Sequence, residues 1–101
     1  MKITKTTIIS TLKQLKPTYE KEGLILTGLF GSYAKGEQNN FSDIDIAYEI
    51  DYNKFSTKYK DGFSKILRIE EIKQELENTF KTKVDLVPNN NKAIINGIIN
   101  V

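Results

Sequence analysis

Neither cysteine nor histidine occurs among the 101 residues. The first absence removes disulfides and thiolate chemistry. The second removes imidazole general bases and zinc sites of the usual make-up. Arginine is almost missing as well, Arg68 being the single one in a basic set otherwise made of lysine. With 15 basic and 13 acidic residues the net charge is only +2, which gives no strong nucleic-acid signal. No apolar run approaches the ~20 residues needed to cross a bilayer, and Met-Lys-Ile-Thr-Lys at the N-terminus lacks the apolar stretch of a signal peptide. A cytoplasmic protein with no membrane partner is therefore expected, and the sequon Asn40-Phe41-Ser42 is discounted. What remains for chemistry is carboxylates, hydroxyls, lysine and a metal that prefers oxygen. A chain of this length makes one domain, residues 1–101, that buries about two thirds of its unfolded surface.

The stretch from Leu29 to Ile46 organises the rest. An apolar strand, Leu24 to Phe30, runs into Gly31-Ser32, and a short helix from Ser32 to about Gly36 follows. The polar turn Glu37 to Asn40 then leads to a second strand, Asp43 to Ile50. Along that strand Asp43, Asp45, Ala47 and Glu49 point one way, and Ile44, Ile46, Tyr48 and Ile50 the other. Two carboxylates on one face, roughly 7 Å apart, repel by about 2 kcal/mol at an effective dielectric near 20. A divalent cation removes that repulsion, and oxygen ligands suit Mg²⁺ or Mn²⁺. An isolated Asp-x-Asp is more often the wet face of an amphipathic strand.

The turn before it weighs on the other side. Gly31 permits a positive φ or a close approach. Ser32 is a good N-cap that would leave N–H groups of the first helical turn free for an anion. Lys35 falls in the first turn of that expected helix, where the helix dipole disfavours a cation by ~0.3–1 kcal/mol. A phosphate would account for it. Gly31 to Gly36 mimics the spacing of a P-loop, but Glu37-Gln38 stand where Lys-Ser/Thr is required.

Elsewhere the pattern is structural. Ile8, Leu12, Leu15 and Tyr19 recur at helical spacing from Thr4 to Tyr19, with Pro17 expected to kink or restart the helix and Gly23 to stop it. Residues 51–60 read as a polar loop in which Lys54, Lys58 and Lys60 alternate with Tyr52, Phe55 and Tyr59. A second long helix spans Asp61 to Phe80, with Phe63, Ile66, Ile69, Ile72, Leu76 and Phe80 on its apolar side and an i,i+4 pair between Glu77 and Lys81. A third strand, Lys83 to Val87, turns Val84 and Leu86 to the core and Asp85 to the opposite face. Ile94, Ile95, Ile98 and Ile99 suggest a short amphipathic helix at the end. The fold class is α/β (α+β), a small mixed β-sheet of three to four strands backed by helices.

Gly31-Ser32, ten intervening residues and Asp43-x-Asp45 match the G-S-x10-D-x-D signature of the DNA polymerase β-like nucleotidyltransferases. The fuller string G-S-Y-A-K-G…S-D-I-D-I resembles their smallest members, the minimal nucleotidyltransferase (MNT) domains. The resemblance covers roughly Thr4 to Pro88 and is completed by Asp85, since those domains carry a third acidic residue on a later strand. Lys35 stands where many relatives have arginine, which offers the bidentate fork that lysine lacks.

That resemblance implies a polymerase β-like nucleotidyltransferase core with catalytic, metal-holding Asp43, Asp45 and Asp85. It puts Gly31, Ser32, Lys35 and Ser42 on the nucleotide, with Mg²⁺ (two ions, Mn²⁺ as the substitute) as cofactor and ATP as donor. It also implies a HEPN-type toxin as partner, an RNase whose tyrosine hydroxyl receives AMP, this chain being the antitoxin. Two alternatives remain open: a non-catalytic antitoxin that neutralises its toxin by contact, and a free-standing enzyme acting on a small hydroxylated substrate. A homo-oligomer is left open too.

Overall fold

The computed structural model describes residues 3–90 and 97–101. Helix α1 (Lys5–Glu20) begins at Thr4, whose hydroxyl accepts a hydrogen bond from the Thr7 N–H. It passes through Pro17 without ending there, because Pro17 lies in the last turn, where the loss of one backbone bond costs least. Gly23, at φ +103°, closes the turn into β1 (Leu24–Phe30), and its carbonyl accepts from the Asp51 N–H at 2.8 Å.

Four further elements lead to the third strand: α2 (Gly31–Lys35), β2 (Ile44–Ile50), α3 (Tyr52–Lys58) and α4 (Gly62–Phe80). Strands β3 (Val84–Pro88) and β4 (Ile99–Asn100) complete the described part. The mixed sheet has the order β3-β2-β1-β4. Strand β1 is antiparallel to β2 and β4, while β2 and β3 run parallel and are joined through α3 and α4. A register shift between Leu26 and Gly28 places a bulge at Thr27, so Leu24, Leu26 and Leu29 all reach the core side.

The core is one cluster. Ile8 and Leu12 of α1, Ile72, Leu76 and Phe80 of α4, and Phe55 of α3 close over the strand residues Leu24, Leu26, Leu29, Ile44, Ile46 and Val84. Each fully buried aliphatic or aromatic side chain contributes ~1.5–3 kcal/mol. Along one edge of this layer the lone arginine ties elements together. Arg68 donates two 2.8 Å bonds to Glu22 and one of 2.9 Å to Glu75, which also accepts from the Tyr19 hydroxyl. Arg68 holds the Glu22 carboxyl below its ordinary range. Burial, with the hydrogen bond to Glu22 adding to it, pushes the Tyr59 hydroxyl up to about 12.

The structure departs from expectation in several places. Residues 51–60 are not a loop throughout: Asp51 caps α3 by accepting from the Lys54 N–H, and Phe55 sinks completely into the core. Phe63 and Ile66, on the expected apolar stripe of α4, are 71% and 67% exposed, and Ile66 borders an open groove with Tyr48, Ile50 and Pro88 instead of closing on the core. No ion pair joins Glu77 and Lys81. Instead Lys81 takes the left-handed conformation after the helix, and the Glu77 carboxylate accepts from the Val84 N–H at 3.0 Å. Ile98 and Ile99 belong to an extended segment rather than a helix, and Ile94 and Ile95 lie outside the described residues. Among the described residues no helix is long and apolar enough to cross a membrane.

Candidate active site

The far side of the sheet, where the strands meet α2, carries the acidic residues. Asp45 is central. It lies opposite Phe30 on β1 and opposite Asp85 on β3, so the three strands converge on one line across the sheet. Asp43 stands immediately before β2, whose entry is tied to β3 by the bond from the Ile44 N–H to the Lys83 carbonyl at 2.9 Å. Asp85 follows Val84, whose N–H the Glu77 carboxylate holds, so the end of α4 sets where β3 presents its acid. The parallel β2–β3 pairing that places Asp45 next to Asp85 is what brings residues 40 positions apart (85 minus 45) onto one surface.

Gly31 sits directly after the Phe30–Asp45 pair at φ +75°. A Cβ on it would overlap Oδ2 of Asp45. The backbone of the turn therefore lies against the carboxylate, and both the approach and the positive φ demand glycine. Beyond it α2 makes little more than one turn and stops at Gly36, φ +73°. This corrects two readings of the turn. The N-cap residue is Phe30, without a side-chain cap bond, and not Ser32, whose hydroxyl makes no hydrogen bond among the described residues. Lys35 is the last residue of α2, so the dipole penalty on its charge disappears. Ser42 is occupied within the loop, its hydroxyl accepting from the Asn39 N–H at 2.9 Å.

The electrostatics of the acidic surface are those of unneutralised like charges. Burial raises the Asp45 carboxyl above its ordinary 3.8, and Asp85 and then Asp43 push it further up. Among the described residues no group of three or more acidic side chains is placed to hold a metal ion by itself. Asp43 and Asp45 are half-buried, Asp85 is exposed, and Ser32 and Lys35 lie on the turn beside them. Further along the same face Ala47 and its β1 partner Gly28 are covered, Gly28 lying against Ile98 and the Ile99 carbonyl. The acidic end is thus the open part of that face.

A pH experiment isolates the repulsion. The folded Asp45 carboxyl titrates above 3.8, so the folded state binds this proton more tightly than the unfolded chain does. Its contribution to stability is intact below that value and is lost as pH rises through the folded pKa. Without divalent cations, Asp45→Asn should therefore melt above the wild type at neutral pH, by ~4–8 °C for each kcal/mol relieved. The difference should vanish on acidification toward pH ~3. A variant that melts lower at neutral pH would mark Asp45 as a structural residue.

Known proteins resemble this chain in sequence and in fold. Residues 13–100 match the family model described as polymerase beta, nucleotidyltransferase. The chain is 38% identical over 82 residues to a Methanocaldococcus jannaschii protein named "Putative protein adenylyltransferase MJ1215", covering 77% of this chain and 76% of that one. A second protein of that organism, MJ1379, carries the same description and is 38% identical over 87 residues, 78% of this chain and 79% of its own. Among solved structures, "Structure of putative minimal nucleotidyltransferase" superposes with a TM-score of 0.71 at 18% identity, covering 98% of this chain and 97% of that chain. "Crystal structure of the toxin-antitoxin with AMP-PNP" gives a TM-score of 0.57 at 26% identity over 97% of this chain and 72% of that chain.

Proposed function

The chain belongs to the polymerase β nucleotidyltransferase family, and on that premise we propose that this nucleotidyltransferase is an antitoxin that transfers AMP from ATP to a tyrosine hydroxyl of a HEPN-type toxin. The observation that carries the reading is the line Gly31–Asp45–Asp85. The turn at Gly31 lies against the Asp45 carboxylate, Asp43 precedes it by two residues and Asp85 stands opposite it on the neighbouring strand, forming a surface that repels itself until a cation joins it. Relatives named as protein adenylyltransferases support a protein acceptor. The neighbour solved as a toxin–antitoxin pair with AMP-PNP supports a toxin as that acceptor and an adenine nucleotide as donor. One nucleotidyltransferase domain over residues 1–101, acting in the cytoplasm, completes the proposal.

The donor set suits magnesium. The chain offers carboxylate oxygens and no imidazole or thiolate. Mg²⁺ is commonly held by one or two carboxylates together with substrate phosphates rather than by an all-protein cage, which fits an acidic cluster that forms no metal site alone. Asp43 and Asp45 would hold the ion on the triphosphate, and Asp85 would share in a second site. Bound there, magnesium would neutralise the charge that develops on the phosphates during an in-line displacement.

The remaining roles fall to the chain itself. The Ser32 hydroxyl, without a hydrogen-bond partner among the described residues, donates to a phosphate oxygen, and Gly31 lets the turn lie against the Asp45 carboxylate. Lys35 adds positive charge at the same turn. Ser42 fixes the loop that ends at Asp43, so it acts on the nucleotide by positioning. Asp85 orients the acceptor hydroxyl and takes its proton as the oxygen attacks the α-phosphorus. The new bond is tyrosine oxygen to phosphorus, the bond broken is phosphorus to the bridging oxygen, and pyrophosphate departs. Fixed position and fixed charge supply the rate.

Intact-mass spectrometry of a HEPN-type toxin incubated with this chain, ATP and Mg²⁺ tests the proposal. The toxin should gain AMP mass increments on tyrosine, and RNase activity should fall with the modified fraction. An unmodified toxin that is nonetheless silenced would establish neutralisation by contact and end the catalytic reading.

A further inference from the structure

Between the start of α1, the end of α4 and the loop that follows α2 lies a cavity of about 840 Å³, whose lining includes none of the acidic site residues. Two polar groups at this cavity lack partners. Tyr33 is only 7% exposed, yet its hydroxyl makes no hydrogen bond among the described residues. The Oε1 atom of Gln38 is buried and equally without one. Buried polar groups are satisfied as a rule, and leaving one open is costly. Two of them beside one concavity mark a place where a ligand supplies the missing bonds. Further acceptors stand nearby. The Thr79 and Thr82 hydroxyls line the cavity from the end of α4, and they donate their protons to the Glu75 and Phe80 carbonyls. Their lone pairs are what they have left to offer. No carboxylate lines the cavity among the described residues, and its one charged side chain is Lys81.

We propose that this cavity is a regulatory site for an uncharged, hydroxyl-rich small molecule, a sugar either free or carried by a nucleoside. The charge pattern selects it. Acceptors such as the Gln38 and threonine oxygens call for a ligand rich in donors. A polyamine or a metal ion would meet Lys81 and no compensating carboxylate, and a single lysine is too little for a polyphosphate. Neutral O–H groups satisfy both conditions, and a sugar carries one on nearly every carbon. The volume falls within the ~300–1,000 Å³ of small-molecule pockets, and Ile3, Phe80 and the threonine methyls offer apolar contact to ring C–H groups. The place fits regulation. Tyr33 follows Ser32 on α2, and Gln38 to Asn40 belong to the loop that leads to Asp43. A ligand bonded to both would brace the segment that carries two residues of the acidic site. Binding does not depend on the nucleotidyltransferase reading above, but its effect on nucleotide affinity does.

The test uses the full chain with sucrose and uridine as probes, and inorganic phosphate and spermidine as charged controls. Ligand-observed NMR is the readout, since sugars raise the melting temperature of any protein by exclusion from its surface. Sucrose, uridine or both should bind with a dissociation constant on the order of 1 mM or below, and the controls should not compete. Sucrose alone would identify a free sugar as the ligand, and uridine alone a nucleoside. Tyr33→Phe removes only the hydroxyl. It should melt no lower than the wild type, because that hydroxyl has no partner to lose, and should bind the probe about fivefold more weakly, as for one neutral hydrogen bond. Gln38→Met is the second variant, with the same expectation. Asp45→Asn should bind the probe as the wild type does, which separates this cavity from the acidic site. Saturating probe should shift ATP·Mg²⁺ affinity at least about fivefold, and ATP·Mg²⁺ should shift probe affinity by the same factor. If the probe binds and ATP·Mg²⁺ does not, the site stands and the nucleotide reading falls. Failure of both probes to bind overturns the proposal, as does unchanged probe affinity in Tyr33→Phe and Gln38→Met. A probe that binds without altering ATP·Mg²⁺ affinity overturns the regulatory role.

Discussion

Asp85→Ala should abolish AMP transfer while leaving the complex with the toxin intact. Asp85 is exposed, makes no hydrogen bond among the described residues, and sits on β3 between Val84 and Leu86, which face the core instead. Its removal opens no cavity, and it relieves repulsion on Asp45, so the fold should hold or gain. The loss falls on the reacting centre. An acceptor hydroxyl without a base to align it, beside a cluster one charge short, should react at least ~10²–10³-fold more slowly, the scale for removing one preorganised electrostatic contact. Intact mass and RNase activity measured on the same samples separate the possibilities. Mass shift and protection should disappear together, with co-elution of the two proteins retained. Protection that survives without a mass shift would make contact the antitoxic mechanism.

Gly31→Ala is expected to damage the site from the opposite direction. Two costs coincide there: the φ of +75°, which an L-residue resists, and the overlap of the new methyl with Oδ2 of Asp45. Backbone strain of this kind costs ~1–3 kcal/mol. The carboxylate must swing away or the turn must shift, and a displacement of ~1 Å at the reacting centre is enough to lower the rate on the order of 10²-fold. A double-mutant cycle tests the contact itself. In Gly31→Ala/Asp45→Ala the overlap disappears, so the stability loss of Gly31→Ala should shrink to the strain alone, with a coupling within the ~0.5–3 kcal/mol range of residues in contact. Additive losses would mean that the two residues do not touch. Nucleotide binding by calorimetry should weaken in Gly31→Ala even where folding is complete.

These two residues also show how much the sequence makes legible. The Asp-x-Asp alternation and the glycine turn stand in one continuous stretch, so their proximity needs only local geometry. Asp85 lies 40 residues on (85 minus 45), and its face follows from alternation on its own strand, but its place opposite Asp45 depends on a parallel pairing that no local pattern encodes. Strand β1 has the bounds its apolar run suggests, and α4 ends at Phe80 as its periodicity implies. Helix α3 was hidden because two turns with one buried residue, Phe55, show no period; only Asp51 as a cap could have announced it. The position of Lys35 is ambiguous in the sequence for a related reason: a helix of five residues brings its first and last turns together. The apolar stripe of α4 shows which side Phe63 and Ile66 share with Ile72 and Leu76, but not that these two stay exposed while the later pair is buried.

The parallel pairing of β2 and β3 has a bearing on how the molecule comes into being. Parallel neighbours cannot be joined by a hairpin, so the chain must complete α3 and α4 before β3 can lie beside β2. That loop closure costs chain entropy before any contact repays it. The pair it forms then sets Asp45 against Asp85, which adds repulsion rather than attraction. Contacts of such sequence separation are formed late in folding as a rule. The β1–β2 pair with its glycine turn and first two acids closes the shorter loop and can assemble early, but Asp85 joins it only when the crossover is closed. On the proposed mechanism, AMP transfer would report that the β2–β3 pair has formed.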